Sequence, residues 1–340
     1  MGKYYVKFGL SKNFDAGSKA MRDIMVLLEA RGYKSVPALP ARLNKFFKLA
    51  DIPVLLLIIF VKVGRKGTLI YFVPSNKQRI RFLKFFRDIL NFRLICFIND
   101  VESMRMIKSK KYVVGEMESI AAADVVLVPN ENSVRILRDE YGLASPLIPV
   151  GVWDYLVDDC SFSFHEEGEQ KVVAFAGNLK KSPFINDLYS VNLKFKIWGS
   201  GKEINRSDGN LDFRGVESPD NLVKYITECS WGLVWDGTSI HTCAGLLGTY
   251  LRFNNSHKCG LYLAAGVPII VWRESGMTFF VEKYKVGICV SSLDEAADVI
   301  NHMDGDVYEE YRKNAQWIGM QVRQGNFFLS ALVVAENIDI

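Results

Sequence analysis

A chain of 340 residues is longer than one ordinary hydrophobic core organises, and a composition 49% apolar and 24% charged excludes a disordered or fibrous protein, so two globular domains are expected. The net charge of +4 conceals an asymmetry, because residues 1–150 carry 25 Lys and Arg against 13 Asp and Glu while residues 151–340 carry 17 against 25. A basic first half implies an anionic partner: nucleic acid, a membrane surface or a phosphorylated substrate. The six cysteines (Cys96, Cys160, Cys229, Cys243, Cys259, Cys289) form no CxxC pair and lie mostly in apolar runs, which points to a reducing cytoplasm and no zinc site. The start, MGKYYVKFGL, lacks a signal peptide's pattern, and the longest apolar run, 52–61, is half a bilayer span and contains Pro53, so no transmembrane helix is expected.

In chain order, residues 3–10 read as a strand, 11–18 as a polar loop, and about 19–31 as a helix ended by Gly32. The loop, SKNFDAGS, sets Asp15, Gly17 and Ser18 ahead of a helix start, which suits either an anionic ligand or an ordinary serine cap. Between residues 35 and 73, apolar strands (IPVLLLIIFV, TLIYFV) alternate with basic segments. Near Pro74 an amphipathic helix begins, NKQRIRFLKFFRDILNF, in which Ile80, Leu83, Phe86 or Phe82, Ile89 and Leu90 fall at helical spacing among Lys77, Arg79, Arg81, Lys84 and Arg87. Its apolar face is expected on a sheet, and its basic face either in solvent or on anionic lipid head groups. A buried strand at 93–98 then delivers Asn99, Asp100 and Glu102, and two carboxylates at a strand end suit general-base work or capping of the next helix. A helix at 112–123, the strand VVLVPN, the helix SVRILRDEYG and the strand PLIPVGV complete a first α/β domain, and 153–170 reads as a connection.

The second domain opens with VVAFAGNLKKSPFI, a strand followed by Gly177, Asn178, Lys180 and Lys181, where a glycine admits close approach of a ligand and a cation suits phosphate. FKIWGSG repeats the theme with Trp198 and Gly199, and LDFRGV precedes a helix capped by Ser218 with Pro219 in its first turn. The stretch 231–272 reads as a strand at 232–235, a Gly-rich loop, a helix at 256–265 and a strand at 267–272, a βαβ unit of a parallel sheet. Its loop and helix start carry Asp236, Gly237, Tyr250, Asn254, Asn255, Ser256, His257 and Lys258. That is more polar chemistry than a crossover needs, at the strand ends where open α/β sheets bind ligands; the plainer reading is a crossover with a wet loop. A helix at 277–284, the strand VGICV, the helix SLDEAADVINHM, a helix at 308–324 and a final helix from 326 complete the chain. Neither GxGxxG nor GxxxxGK[ST] occurs, which argues against a dehydrogenase and a kinase-type ATPase.

AGSKA, INDVES, FAGNLKKSPF, GLVWDG and above all YLRFNNSHKCGLYLAAGVPIIVW, in this order over nearly the whole chain, resemble a bacterial family of GT-B glycosyltransferases. That family includes the β-1,6-galactofuranosyltransferases of O-antigen clusters and the glucosyltransferase acting on serine-rich streptococcal adhesins. The resemblance implies an α/β fold of two facing Rossmann-like domains with parallel sheets: an acceptor domain at 1–155, a nucleotide-sugar domain at 170–315, and a C-terminal helix at 316–340 packing back on the first. It implies transfer of galactofuranose or glucose from a UDP-sugar, with inversion, no cofactor and no metal, Lys258 neutralising the diphosphate instead. Lys181 or Lys180 falls where the family has a basic residue. Gly17, Gly177, Asn178, Tyr250 and His257 join the donor-binding candidates, with Asp236, Gly237, Asn254 and Asn255 toward ribose or sugar hydroxyls and Trp198 with Gly199 toward uracil. Where the family commonly has His-Asp, this chain has Asn99-Asp100, so the proton acceptor becomes Asp100, Glu102 or Asp15, with Asp100 preferred.

The resemblance further implies a glycan acceptor and a homo-oligomer. A polyprenyl-diphosphate carrier for that acceptor would give the basic first half a use, and the basic segments themselves lead to the expectation of peripheral binding through 76–94 and 42–66 at the inner face of the plasma membrane, in a cytoplasmic protein. Two other functions compete. A nucleic-acid-binding protein would use the basic residues, but they are spread over several elements without an RRM, KH or helix-turn-helix signature, so no nucleic-acid partner is expected. A non-catalytic subunit on a transferase fold is motivated by Asn99.

Overall fold

The βα alternation forms, in the computed structural model, two sheets in which every pairing among the described residues is parallel. The structure describes residues 2–6, 16–36, 57, 59–64, 66–74, 77–157, 171–201 and 209–339. One compact unit takes residues from 1–13, 21–150 and 328–340, and the other takes those from 14–20 and 151–327.

The first unit's strands are β1 (Lys3–Val6), β2 (Lys34–Val36), β3 (Thr68–Val73), β4 (Arg93–Ile98), β5 (Val125–Val128) and β6 (Leu147–Pro149), in the spatial order β2-β1-β3-β4-β5-β6. The central strands read as nearly continuous apolar runs, TLIYFV and RLICFI, and are buried on both faces as a helix-covered parallel sheet requires. Its helices are α1 (Ala16–Ala30, of which the part from Met21 belongs to this unit), α2 (Lys77–Leu90), α3 (Glu102–Arg105), α4 (Lys110–Ile120) and α5 (Glu131–Asp139). Gly32, at φ +84°, ends α1 in the left-handed conformation that a Cβ would oppose.

Three sequence expectations change in this unit. Helix α1 begins at Ala16, so Gly17 and Ser18 lie in its first turn; with no proline or β-branched residue before Ile24, the helical period extends back through them. At the end of IPVLLLIIFV and just beyond it, residues 59–63 form a π-helical turn that buries Ile59 and Val63, four apart, rather than alternate residues of a strand. In α2, Ile80 and Leu83 are buried but Ile89 is exposed, because nine residues from Ile80 is two and a half helical turns and points to the opposite side.

The second unit's strands are β7 (Val172–Ala176), β8 (Lys194–Trp198), β9 (Leu211–Gly215), β10 (Trp231–Val234), β11 (Ile269–Trp272) and β12 (Gly287–Val290), ordered β12-β11-β10-β7-β8-β9. Its helices are α6 (Pro219–Ile226), α7 (Gly245–Tyr250), α8 (His257–Ala264), α9 (Thr278–Tyr284), α10 (Leu293–Asn301) and α11 (Gly305–Arg323); α12 (Asn326–Asn337) follows, and from Phe328 it groups with the first unit. The turn after β7 is a pair of 3-10 segments, Leu179–Lys181 and Pro183–Ser190. Strand periodicity divides the core: Val173 and Phe175 enter one cluster with Trp231 and Trp235, and Ala174 and Ala176 enter another with Trp198 and Tyr262. The chain runs β7-β8-β9 to one side and returns to β10-β11-β12 on the other, so the strand order reverses between β7 and β10. Ligands of open α/β sheets bind in the crevice at the carboxyl ends of such a pair.

Candidate functional site

Gly177 leaves β7, and Asp236 follows β10 by two residues, so both stand at that reversal. The third component comes from α8, whose cap is Ser256: its hydroxyl accepts from the Lys258 N–H at 3.4 Å. Glycines seat α8 tightly, since a Cβ on Gly232 would overlap the Tyr262 ring and one on Gly260 would overlap the Trp153 carbonyl oxygen. The Tyr262 hydroxyl accepts the Ala176 N–H at 2.9 Å, tying the helix to the end of β7.

From this rigid base Lys258 Nζ lies 3.0 Å from each carboxylate oxygen of Asp236, 3.5 Å from the Trp235 carbonyl oxygen and 5.4 Å from the centre of the Phe175 ring. A Cβ on Gly177 would stand 3.2 Å from Lys258 Cε, so glycine there makes room for the lysine stem. A cation in the first turn of a helix opposes the macrodipole, at a cost of about 0.3–1 kcal/mol that Asp236 offsets. Lys258, the helix start and the nearby glycine backbone bring N–H groups and a cation to the reversal point, with Asp236 as the counter-ion that an anion such as phosphate would have to replace.

Gly199 packs against Gly177, where a Cβ would overlap the Gly177 carbonyl oxygen, and Gly177 donates its N–H to the Trp198 carbonyl at 3.0 Å. In the following turn Asn178 and Lys181 are exposed, and the Asn178 side chain accepts the Lys180 N–H at 3.0 Å. Gly237, at φ +110°, starts a loop closed so tightly that a Cβ would overlap the Ala244 carbonyl oxygen. The structure therefore gathers Gly177, Gly199, Asp236 and Lys258, with Asn178, Lys181 and Gly237 on the segments leaving the same strand ends.

Other expected donor-binding residues serve packing instead. Trp198 belongs to the core and is 4% exposed, so its ring is not a stacking surface for a base. Asn255 is fully buried, and its side-chain amide donates to the Gly151 carbonyl at 3.0 Å rather than facing a ligand. The His257 ring stacks on Trp153, with centroids 5.9 Å apart and planes 17° apart, and burial pushes its pKa down to about 4, leaving it neutral near pH 7. Tyr250 is buried and stacks on Phe253 at 6.0 Å, while Asn254 is half-buried and its N–H donates to the Tyr250 carbonyl. Both oxygens of Asp236 are engaged by Lys258, a charge partner where the sequence suggested a hydroxyl binder. Gly17 lies within α1, and Asp15 lies outside the described residues.

In the first unit the N–H groups of Asn99 and Asp100 both donate to the Val73 carbonyl, at 3.1 and 3.2 Å, setting both residues at the edge of β3 and β4. Asp100 Oδ2 receives Arg105 Nη1 at 2.5 Å. Glu102 Oε2 accepts from the Tyr112 hydroxyl at 2.6 Å and lies 3.4 Å from Lys108 Nζ. The Tyr112 hydroxyl, aided by Lys108 and Arg105, draws the Glu102 carboxyl below its usual range despite opposing burial. Buried Glu116 accepts the N–H groups of Glu102 and Ser103 at 3.0 and 2.9 Å, so the capping carboxylate of α3 is Glu116 and neither candidate base. Sequence reasoning missed Arg105, Lys108, Tyr112 and Glu116, whose approach to Asp100 and Glu102 depends on how α3 and α4 fold back. It also missed Trp153, placed in a segment with no periodic signal.

The two six-stranded sheets, parallel in every pairing among the described residues, form a GT-B glycosyltransferase fold. The backbone is similar to that of Anabaena Alr3699/HepE in complex with UDP, with TM-score 0.59, 13% identity and coverage of 98% of this chain and 100% of that one. It is similar also to an Escherichia coli structure described as trehalose-6-phosphate bound with UDP-2-fluoro glucose, with TM-score 0.61, 9% identity and full coverage of both chains. The chain belongs to the glucosyltransferase 3-like family, whose N-terminal domain matches residues 3–152 and whose C-terminal domain matches residues 173–335. Among relatives, the β-1,6-galactofuranosyltransferase WbbI of Escherichia coli (strain K12) is 26% identical over 324 residues, covering 94% of this chain and 93% of WbbI. Glucosyltransferase 3 of Streptococcus gordonii is 26% identical over 281 residues, covering 82% and 81%.

Proposed function

We propose that this protein is an inverting glycosyltransferase that moves galactofuranose or glucose from a UDP-sugar to a glycan acceptor in surface polysaccharide or glycoprotein synthesis. The observation that carries the reading is Lys258, held at the start of α8 beside Gly177 and at the reversal point of a parallel sheet. There its ammonium, with the α8 N-terminus behind it, would meet the negative charge that grows on a departing diphosphate, without a metal. The donors and activities in the names of the relatives and neighbours support the same chemistry. Inversion needs a single displacement in which a carboxylate takes the acceptor hydroxyl proton. The role goes to Asp100, which follows the end of β4 and meets Arg105, while Glu102 is held by the Tyr112 hydroxyl and Lys108. Asp100 must then loosen its contact with Arg105 as the hydroxyl arrives.

A donor screen by thermal unfolding tests the reading with UDP, UDP-glucose, UDP-galactose and UDP-galactofuranose. A ligand at about 100 times its Kd should stabilise the protein by roughly 2.7 kcal/mol, and the best sugar should exceed UDP alone. Absence of a shift with every uridine nucleotide would overturn it.

A further inference from the structure

Besides the face that buries Ile80 and Leu83, helix α2 carries a second apolar stripe that is exposed. Phe82, Phe85 and Ile89 are exposed, with Phe85 and Ile89 at 58% and 56%, and all three lie across the helix from buried Ile80. Arg81 and Lys84 are exposed beside them. The neighbouring helix continues this surface: β3, β4 and β5 are consecutive neighbours, so right-handed crossovers set α2 and α4 on one face of the sheet. An Arg81–Glu118 ion pair at 3.3 Å joins the two helices side by side. Helix α4 adds exposed Val114, Lys110 and Lys111, and the segment leading into it adds Met106 and Ile107, the latter 86% exposed.

The geometry points to this α2–α4 face as a docking surface for a bilayer with anionic head groups, the aromatic and aliphatic side chains entering the interface and the flanking cations meeting lipid phosphates. Apolar side chains interleaved with lysine and arginine are the pattern that binds such an interface. A second copy of the chain fits less well, because a two-fold contact would set Lys84, Lys110 and Lys111 against their own images. Nucleic acid would meet the cations but leave Ile89, Met106 and Ile107 in water. The inference rests on this face alone and not on the donor chemistry, so its failure leaves that reading standing.

Co-sedimentation of the full chain with vesicles tests it, using phosphatidylcholine alone and with about a third phosphatidylglycerol. The wild type should sediment with the anionic vesicles, far less with the neutral ones, and less again as salt rises. Phe82→Ser/Phe85→Ser/Ile89→Ser and Lys110→Glu/Lys111→Glu should each weaken binding about tenfold or more, with circular dichroism spectra like the wild type. Wild type left in the supernatant, or well-folded variants that sediment as it does, would overturn the inference. So would a dimer in sedimentation equilibrium, or retardation of nucleic acid at physiological salt, that the variants abolish while vesicle binding persists.

Discussion

At the C-terminal edge of the second unit's sheet a cation, Lys258, is held by a carboxylate, whereas at the edge of the first unit's sheet two carboxylates are held by cations and a phenol. The first arrangement stands on a buried helix locked by Gly232, Gly260 and Tyr262. The second stands on α3, a single turn with no buried residue, and on half-buried partners, Arg105, Lys108 and Tyr112. On the proposed reading, an anionic ligand approaching Lys258 competes with Asp236. If Asp100 is the proton acceptor, an approaching hydroxyl competes with Arg105 for its carboxylate. On the proposed assignment, binding is built into the edge locked by glycines, and the proton acceptor is restrained until a substrate arrives.

The largest expected effect lies on the restrained side. Asp100→Asn should lower kcat about 10²- to 10⁴-fold while leaving UDP affinity unchanged, and Glu102→Gln should cost far less. Steady-state kinetics of both variants decide the matter, and the reverse ranking would move the base to Glu102. Next, Gly232→Ala should destabilise by about 1–3 kcal/mol in denaturant titrations, because the added methyl displaces the Tyr262 ring and with it the seat of Lys258.

A comparable contribution attaches to His257. Its pKa falls on folding from the ordinary value to about 4, so the unfolded chain binds the extra proton first. Stability should therefore drop by about 1–3 kcal/mol as pH falls from 6.5 toward 4, and His257→Gln should flatten that slope. The smallest effect concerns Glu102, whose depressed pKa contributes stability above the unfolded carboxyl's value and loses it as pH falls further. The melting-temperature gap between wild type and Glu102→Gln should narrow toward pH 3, and a constant gap would detach it from ionisation.

Parallel sheets were legible in the sequence because buried strands such as TLIYFV and IIVW are unbroken apolar runs between polar loops. Lys258 was legible as a charged residue at a capped helix start, in a crossover whose loop is more polar than packing requires. The identity of its partner was not, since Asp236 reaches it only through the pairing of β10 beside β7 and the packing of α8. Asn255 and His257 misled for a related reason: polar side chains at a helix start can face a ligand or hold a neighbouring segment, and here the segment at Gly151 and Trp153 takes both. The outward stripe on α2 was hidden because its apolar residues cover both sides of the helix, and only packing selects the side that is buried.

Calorimetric titration of UDP into the wild type, Lys258→Ala and Asp236→Asn tests the central claim most directly. Lys258→Ala should weaken binding by about 1.5–3 kcal/mol, and Asp236→Asn, which removes the group competing with an anion, should hold or tighten it. Equal affinity in Lys258→Ala, or a loss in Asp236→Asn as large as that expected for the lysine, would contradict an anion site centred on Lys258.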